Sequence, residues 1–509
     1  MNHVLETYSA SSNQLSHDAK ISIIVNSIIF LVILACSIAL LISLKNKSKG
    51  YKLLFIFYLI FWIPIFLGRD YRTKMNDAIL IDSGLKGTDY GSLIGTIVLT
   101  GYGFVGVFAR IFADYFSYLF KYRKAFLYLA VVVNIATFIP IIAVQNQYTS
   151  IIQVIGVGIS ASCIGTVELL FRSQYDDNKS FLTVSILSIP PLLANFITAP
   201  IQSIVSSYAK VGSTFDPSKL SYLWIVGAVC LVVCFVMLFF IKEKRLNIIK
   251  PLINTQRRIL INSSIKDSSN SIFKMHSVKK RANNSEMIAY FIIISLIGTF
   301  VAFIKFSNSG AIGISHLNVL SDGSSSSYEG YLSVVFSLAQ LIAGVLMGMV
   351  LIKKWKPLYI LLLGCSSWLI YLTSTIFIHN PIAFFVIHAL NGFAYGIIYN
   401  LLLGLILVVS INTVRITSMG IYQSILSLGI ACSGWFNAYM KNSVFVKTDK
   451  ELYFKNNTIV NIVLISSVIL LFVTYLVMYL YFKKNNSEFY NNHFLARKEE
   501  KIIVKTNKN

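Results

Sequence analysis

Residues 58–72 read Y-L-I-F-W-I-P-I-F-L-G-R-D-Y-R, and after a short polar turn residues 100–114 read T-G-Y-G-F-V-G-V-F-A-R-I-F-A-D. The first stretch closes an apolar run beginning near Tyr51. At about 1.5 Å of helix per residue, that run is long enough to cross a hydrocarbon core about 30 Å thick. Arg69, Asp70 and Arg72 nevertheless stand within or at the end of it. An ionisable group at that depth costs several kcal/mol unless it faces a wet cavity or a partner, so such groups mark functional sites.

The same reading extends over the 509 residues, of which 56% are hydrophobic and 13% charged. That composition excludes an ordinary soluble enzyme, for which about 25% charged residues is usual. Apolar windows predict thirteen membrane spans, near 21–44, 51–80, 88–114, 122–145, 149–173, 180–206, 220–242, 286–308, 326–352, 357–378, 382–409, 414–438 and 457–482. The expected fold class is an all-α polytopic membrane protein. All six cysteines, Cys36, Cys163, Cys230, Cys234, Cys365 and Cys432, fall inside apolar runs, so no disulfide or zinc framework is expected.

The net charge of +23 looks at first like a nucleic-acid footprint. Its placement says otherwise: thirty-one of the 44 Lys and Arg residues fall on alternate loops and on the C-terminal tail. Loops rich in Lys and Arg stay cytoplasmic, so the charge reports orientation. The N-terminus is expected outside, the C-terminus in the cytoplasm, and the chain in the cell (plasma) membrane. Leaving out the first span gives an N-terminal six-helix half at 51–242, a basic linker at 243–285, a C-terminal half at 286–482 and a basic tail at 483–509. Residues 1–50 hold the extracellular N-terminus and the extra transmembrane helix. Six-plus-six architecture is typical of secondary transporters built from repeated halves. The halves also correspond chemically: Arg69 follows Tyr51 by 18 residues, and Lys305 follows Met287 by 18.

The stretch from Tyr58 to Asp114 resembles the major facilitator superfamily, and within it the organophosphate:phosphate antiporters that carry glycerol phosphate and hexose phosphates. The matching residues are Arg69, the loop Gly84 through Gly91, Tyr102-Gly103-Phe104 and Asp114. In the second half, A-F-I-K-F places Lys305 where that family has its second binding-site arginine, and G-F-A-Y-G at 392–396 is similar to its tenth-helix motif. The resemblance implies the major facilitator 6+6 helix fold, with one extra N-terminal transmembrane helix. There are departures: Gly106 stands where the family has a lysine, with Arg110 one turn further on. Leu170 is close to the place of a fourth-helix histidine, and G-M-V-L-I-K-K carries no counterpart of Asp114.

Arg69 and Lys305 are the expected substrate-binding cations, since a phosphate monoester carries about −1.5 to −2 charges at neutral pH. For Arg69 the competing expectations are a local pair with Asp70, or a place at an outer helix end beside Arg72, Lys74 and Asp77. Tyr102, Tyr395, Asn400, Asn391, His388 and Gln423 are candidates to contact the rest of a substrate, or else to bond between helices. Asp114 and Arg110, four apart on one helix face, suit an ion pair and, with Arg123, a gating role. Glu168, deep in the fourth span of this half, is a candidate coupling carboxylate or counter-ion.

No P-loop, nucleophile elbow or His/Cys cluster occurs, so neither an enzyme nor a cofactor or metal site is expected. The leading expectation is secondary transport of a small anionic solute, a sugar phosphate or glycerol phosphate exchanged for inorganic phosphate. A proton-coupled importer using Glu168 is the alternative within transporters; a non-transporting receptor or lipid-handling protein is the alternative outside them. The expected partners are the anionic substrate, inorganic phosphate or protons, and membrane lipids, with no nucleic acid and a monomeric chain.

Overall fold

A computed structural model of the chain describes residues 49–119, 122–172, 184, 186–211, 214–242, 284–322, 329–410, 418–441 and 450–485. The span expected at 21–44, the basic linker and the C-terminal tail lie outside the described residues. The first group of helices is α1 (Lys49–Asp70), α2 (Arg72–Asp82), α3 (Asp89–Leu119), α4 (Arg123–Ala143), α5 (Gln147–Arg172), α6 (Ile189–Ala209), the short α7 (Pro217–Leu220) and α8 (Tyr222–Phe240). A two-stranded hairpin, β1 (Lys210–Val211) and β2 (Thr214–Phe215), follows α6. The second group is α9 (Asn284–Asn308), α10 (Ala311–Leu320), α11 (Glu329–Leu346), α12 (Ile352–Lys354), α13 (Pro357–Phe377), α14 (Pro381–Ser410), α15 (Ser418–Lys441) and α16 (Lys450–Asn485).

Among the described residues eleven helical spans are long and apolar enough to cross a membrane. A further long helix, α15, is 24 residues long and more polar, with Gln423, Ser424, Ser427, Ser433 and Asn437 buried. The lipid-facing surface is apolar, as bilayer burial requires: Phe240, Phe377, Ile382 and Val386 all point outward. Side chains fix several helix starts. The Asn380 carboxamide oxygen accepts the Ile382 and Ala383 amides at the start of α14, and Asn146 and Thr149 cap each other's amides ahead of α5.

The two groups repeat one packing plan. In the first, α1 lies on α8, α3 and α4 on α5, and α4 on α8; in the second, α9 lies on α16, α11 and α13 on α14, and α13 on α16. The groups meet along two lines, α3 against α15 and α6 against α11. Backbones approach closely there. A Cβ on Gly103 would sit 2.3 Å from the Ala431 amide nitrogen, and one on Gly330 would sit 2.3 Å from the Ala199 carbonyl oxygen. Gly103→Val therefore forces α3 off α15. We expect the variant to lose the monodisperse peak of the wild-type protein in size-exclusion chromatography, whereas a wild-type profile would show that this contact yields easily.

Each group contains one apolar stretch that is broken rather than continuous. The first bends at Tyr71, whose φ of −99° and ψ of 1° end α1 and start α2. The second break, at Ser309–Gly310, falls just past the span expected at 286–308, with α10 continuing beyond it; Gly310 takes φ 60° and ψ −130°, a conformation that favours glycine. The breaks fall at matching places in the two groups, and interrupted helices at corresponding positions line binding sites in repeat-built transporters. Arg69 and Lys305 each occupy the last turn before a break. The partial negative charge of a helix C-terminus favours cations there.

Candidate functional site

Between the two groups lies a cavity of about 120 Å³. From α1 it receives Tyr58, Trp62, Phe66 and Arg69, which the spacing of three and four residues aligns on one helix face. Arg69 is 7% exposed, and its Nε donates to Asp70 Oδ1 at 2.8 Å. Arg69 thus both pairs with Asp70 and lines the cavity. The Asp70 Oδ2 atom is buried and has no hydrogen-bond partner.

Lys305 reaches the same cavity from α9. Its Nζ lies 4.3 Å from the Phe306 ring centre, 4.4 Å from that of Tyr395 and 5.5 Å from that of Phe336. Among the described residues no carboxylate lies within 4.0 Å of it. Aromatic faces stabilise a desolvated cation by about 2 kcal/mol or more without cancelling its charge, so the charge is held but not neutralised. The Arg69 guanidinium carbon is 5.7 Å from the same Phe306 ring centre. The two cations therefore flank one ring and stand no more than about 10 Å apart.

Tyr102, Tyr395, Asn400, His388 and Gln423 also line the cavity, whereas Asn391 does not. Asn391 accepts from the Trp368 indole at 2.9 Å and belongs to the contact between α13 and α14. His388 bonds the Tyr371 hydroxyl at 3.2 Å, as a structural imidazole does. Both polar side-chain atoms of Asn400 are buried without a partner. Phe104, by contrast, is 59% exposed and faces lipid.

Arg110 lines the cavity too, and its guanidinium donates to the Gln423 carbonyl, bridging α3 and α15. The side chains of Asp114 and Glu168 lie outside what is described, and Arg123 is half-buried at the start of α4. Gly106, where the resemblance has a lysine, packs against Ser427.

Three features were not anticipated. Arg72 and Lys74, expected at a solvated helix end, are buried. Arg72 donates to the carbonyls of Arg69 at 2.6 Å, Val98 at 3.0 Å and Leu99 at 3.2 Å. Lys74 forms an ion pair with Glu329, which is fully buried at the start of α11, and Ser206 of α6 bonds both partners. That pair joins the two helix groups at the α2 end of the cavity. The sequence signal for it was present, since Glu329 begins an apolar run, but nothing in one sequence says which cation meets it.

No family model and no curated protein matches this sequence. Solved structures do match in shape. The nucleoside transporter NupG aligns over 85% of this chain and 99% of its own, at 11% identity and a TM-score of 0.53. The proton:xylose symporter XylE aligns over 84% of this chain and 95% of its own, at 13% identity and a TM-score of 0.57. The human organic anion transporter MFSD10 aligns over 84% and 100%, at 10% identity and a TM-score of 0.55. XylE is described as a major facilitator superfamily protein, and the likeness runs through both helix groups, so this chain is a multi-pass membrane protein with the major facilitator fold.

Proposed function

We propose that this chain is a secondary transporter of a small anionic solute, a sugar phosphate or glycerol phosphate exchanged for inorganic phosphate by alternating access. One observation carries the reading: Arg69 and Lys305, one from each helix group, flank the Phe306 ring in the wall of a single central cavity. Counting Arg69, Arg110 and Lys305 against Asp70, the charged lining of the central cavity carries a net charge of +2, which a phosphate dianion balances. Arg offers two parallel donors to an oxyanion, and Lys a compact charge. MFSD10 carries organic anions on the same fold, which is compatible with this cargo class. XylE and NupG are named for a sugar and for nucleosides, which makes neutral cargo the competing possibility.

In the membrane the N-terminus lies outside and the tail in the cytoplasm of the cell, with the halves 51–242 and 286–482 rocking about the site. Arg69→Lys keeps the charge but loses the fork. It is expected to lower exchange of labelled phosphate in proteoliposomes by at least tenfold while leaving insertion and yield unchanged. Exchange at the wild-type rate would remove Arg69 from the site.

A further inference from the structure

On the α2 side of Arg69 lies a second, much narrower pocket of about 10 Å³, room for about one water in this conformer, bordered by Arg69, Asp70, Arg72, Ser309, Gly310 and Ser433. It shares Arg69, Asp70, Phe306, Ser309, Gly310 and Ile430 with the central cavity, so these residues form the partition between the two. Arg72 borders only the smaller pocket, and Lys305 only the larger. The Arg72 guanidinium is held by three backbone carbonyls and lies 5.7 Å from the Tyr102 ring centre. Carbonyls orient a guanidinium without cancelling its charge. Among the described residues no carboxylate lies within 4.0 Å of Arg72.

The partition itself is close to neutral, because Arg69 is paired with Asp70. An anion in the central cavity therefore meets Lys305 on one face of a neutral partition, and a second uncompensated cation, Arg72, waits behind it. Leu99 and Ile312 also border the small pocket and form with Ala438 an apolar cluster contributed by α3, α10 and α15. Those three helices come from both groups, so parting the groups at the α2 end opens that cluster and widens the small pocket together.

We propose that the small pocket is a second station for the cargo's anionic group, where Arg72 takes over from Lys305 as the solute passes Arg69 toward the α2 end. The inference rests on the proposed function and concerns how the anion moves, not whether it binds. The narrowness of the pocket in this conformer fits a transit station rather than a resting site. The nearby ion pair of Lys74 with Glu329 is already neutral and offers no competing cation.

The test uses the full-length protein, with inorganic phosphate as the probe. Equilibrium binding of labelled phosphate is measured on the purified protein, and exchange in proteoliposomes, for wild type, Arg72→Gln and Arg72→Lys. The expected result is that Arg72→Gln binds phosphate within threefold of wild type but exchanges it at least tenfold more slowly, while Arg72→Lys exchanges within threefold of wild type. Retained binding shows that the variant is folded. Exchange by Arg72→Gln at the wild-type rate overturns the station. So does loss of phosphate binding in Arg72→Gln alone, which places Arg72 in the resting site, and so does an equal loss of exchange in both variants, which assigns the effect to backbone support rather than charge. A wild-type protein that binds no phosphate overturns the proposed function itself, and the station with it.

Discussion

Lys305→Ala is expected to reduce phosphate exchange by at least tenfold and up to a hundredfold, with the protein still reaching the membrane. A charge-assisted hydrogen bond contributes about 1.5–3 kcal/mol, and each 1.4 kcal/mol is a factor of ten. The ammonium of Lys305 has three aromatic neighbours, Phe306, Phe336 and Tyr395, and these side chains remain well packed when the lysine is shortened. Because Lys305 makes no ion pair among the described residues, its removal strands no buried carboxylate there, and stability is expected to hold or rise. A drop in exchange with unchanged or higher thermal stability separates a binding role from a structural one. Lys305→Arg, bulkier and forked, is expected to retain weak exchange. Wild-type exchange by Lys305→Ala would leave only a generic carrier.

Lys74→Met should behave in the opposite way, damaging stability first. It removes the cation from Glu329, a carboxylate that is fully buried at the contact between α2, α6 and α11 and keeps Ser206 as a hydrogen-bond donor. Removing one partner of a buried pair costs about 3–5 kcal/mol, whereas replacing both by apolar groups of similar volume is often neutral. Thermal unfolding in detergent is expected to show a clear loss for Lys74→Met and recovery for Lys74→Met combined with Glu329→Leu. Equal stability of the single variant and the wild type would show that the pair does not clamp the two groups.

The helices were legible in the sequence because a bilayer imposes a blunt rule: runs of about twenty apolar residues become spans. All twelve spans expected after residue 50 have counterparts among the described helices. The breaks were not legible. Tyr71 and Ser309 carry no helix-breaking chemistry, and a single Gly310 inside an apolar run is weak evidence for a bend. The bends fall directly after Arg69, Asp70, Lys305 and Phe306, which line one cavity.

The candidate site was legible where it depended on the cost of burying charge. Arg69 and Lys305 stood out as cations in apolar runs, and both border the central cavity. Arg72 and Lys74 did not stand out, because their proximity to Asp77 and a loop made them look like a solvated helix end. In the structure Asp77 pairs with Lys86 instead, and α2 turns Arg72 and Lys74 inward. Arg110 was expected to pair along its own helix; the bond it makes across to the Gln423 carbonyl depends on the close approach of α3 and α15, which only tertiary packing sets.

Competition binding on the purified wild-type protein tests the central claim most directly. Labelled inorganic phosphate is the probe, and glycerol phosphate, a hexose phosphate, xylose and a nucleoside are the competitors. Two cations flanking one ring require that phosphate bind saturably, that the organophosphates displace it and that the neutral solutes leave it in place. No phosphate binding, or displacement by xylose or the nucleoside as effective as by the phosphate esters, would contradict an anion site at Arg69 and Lys305.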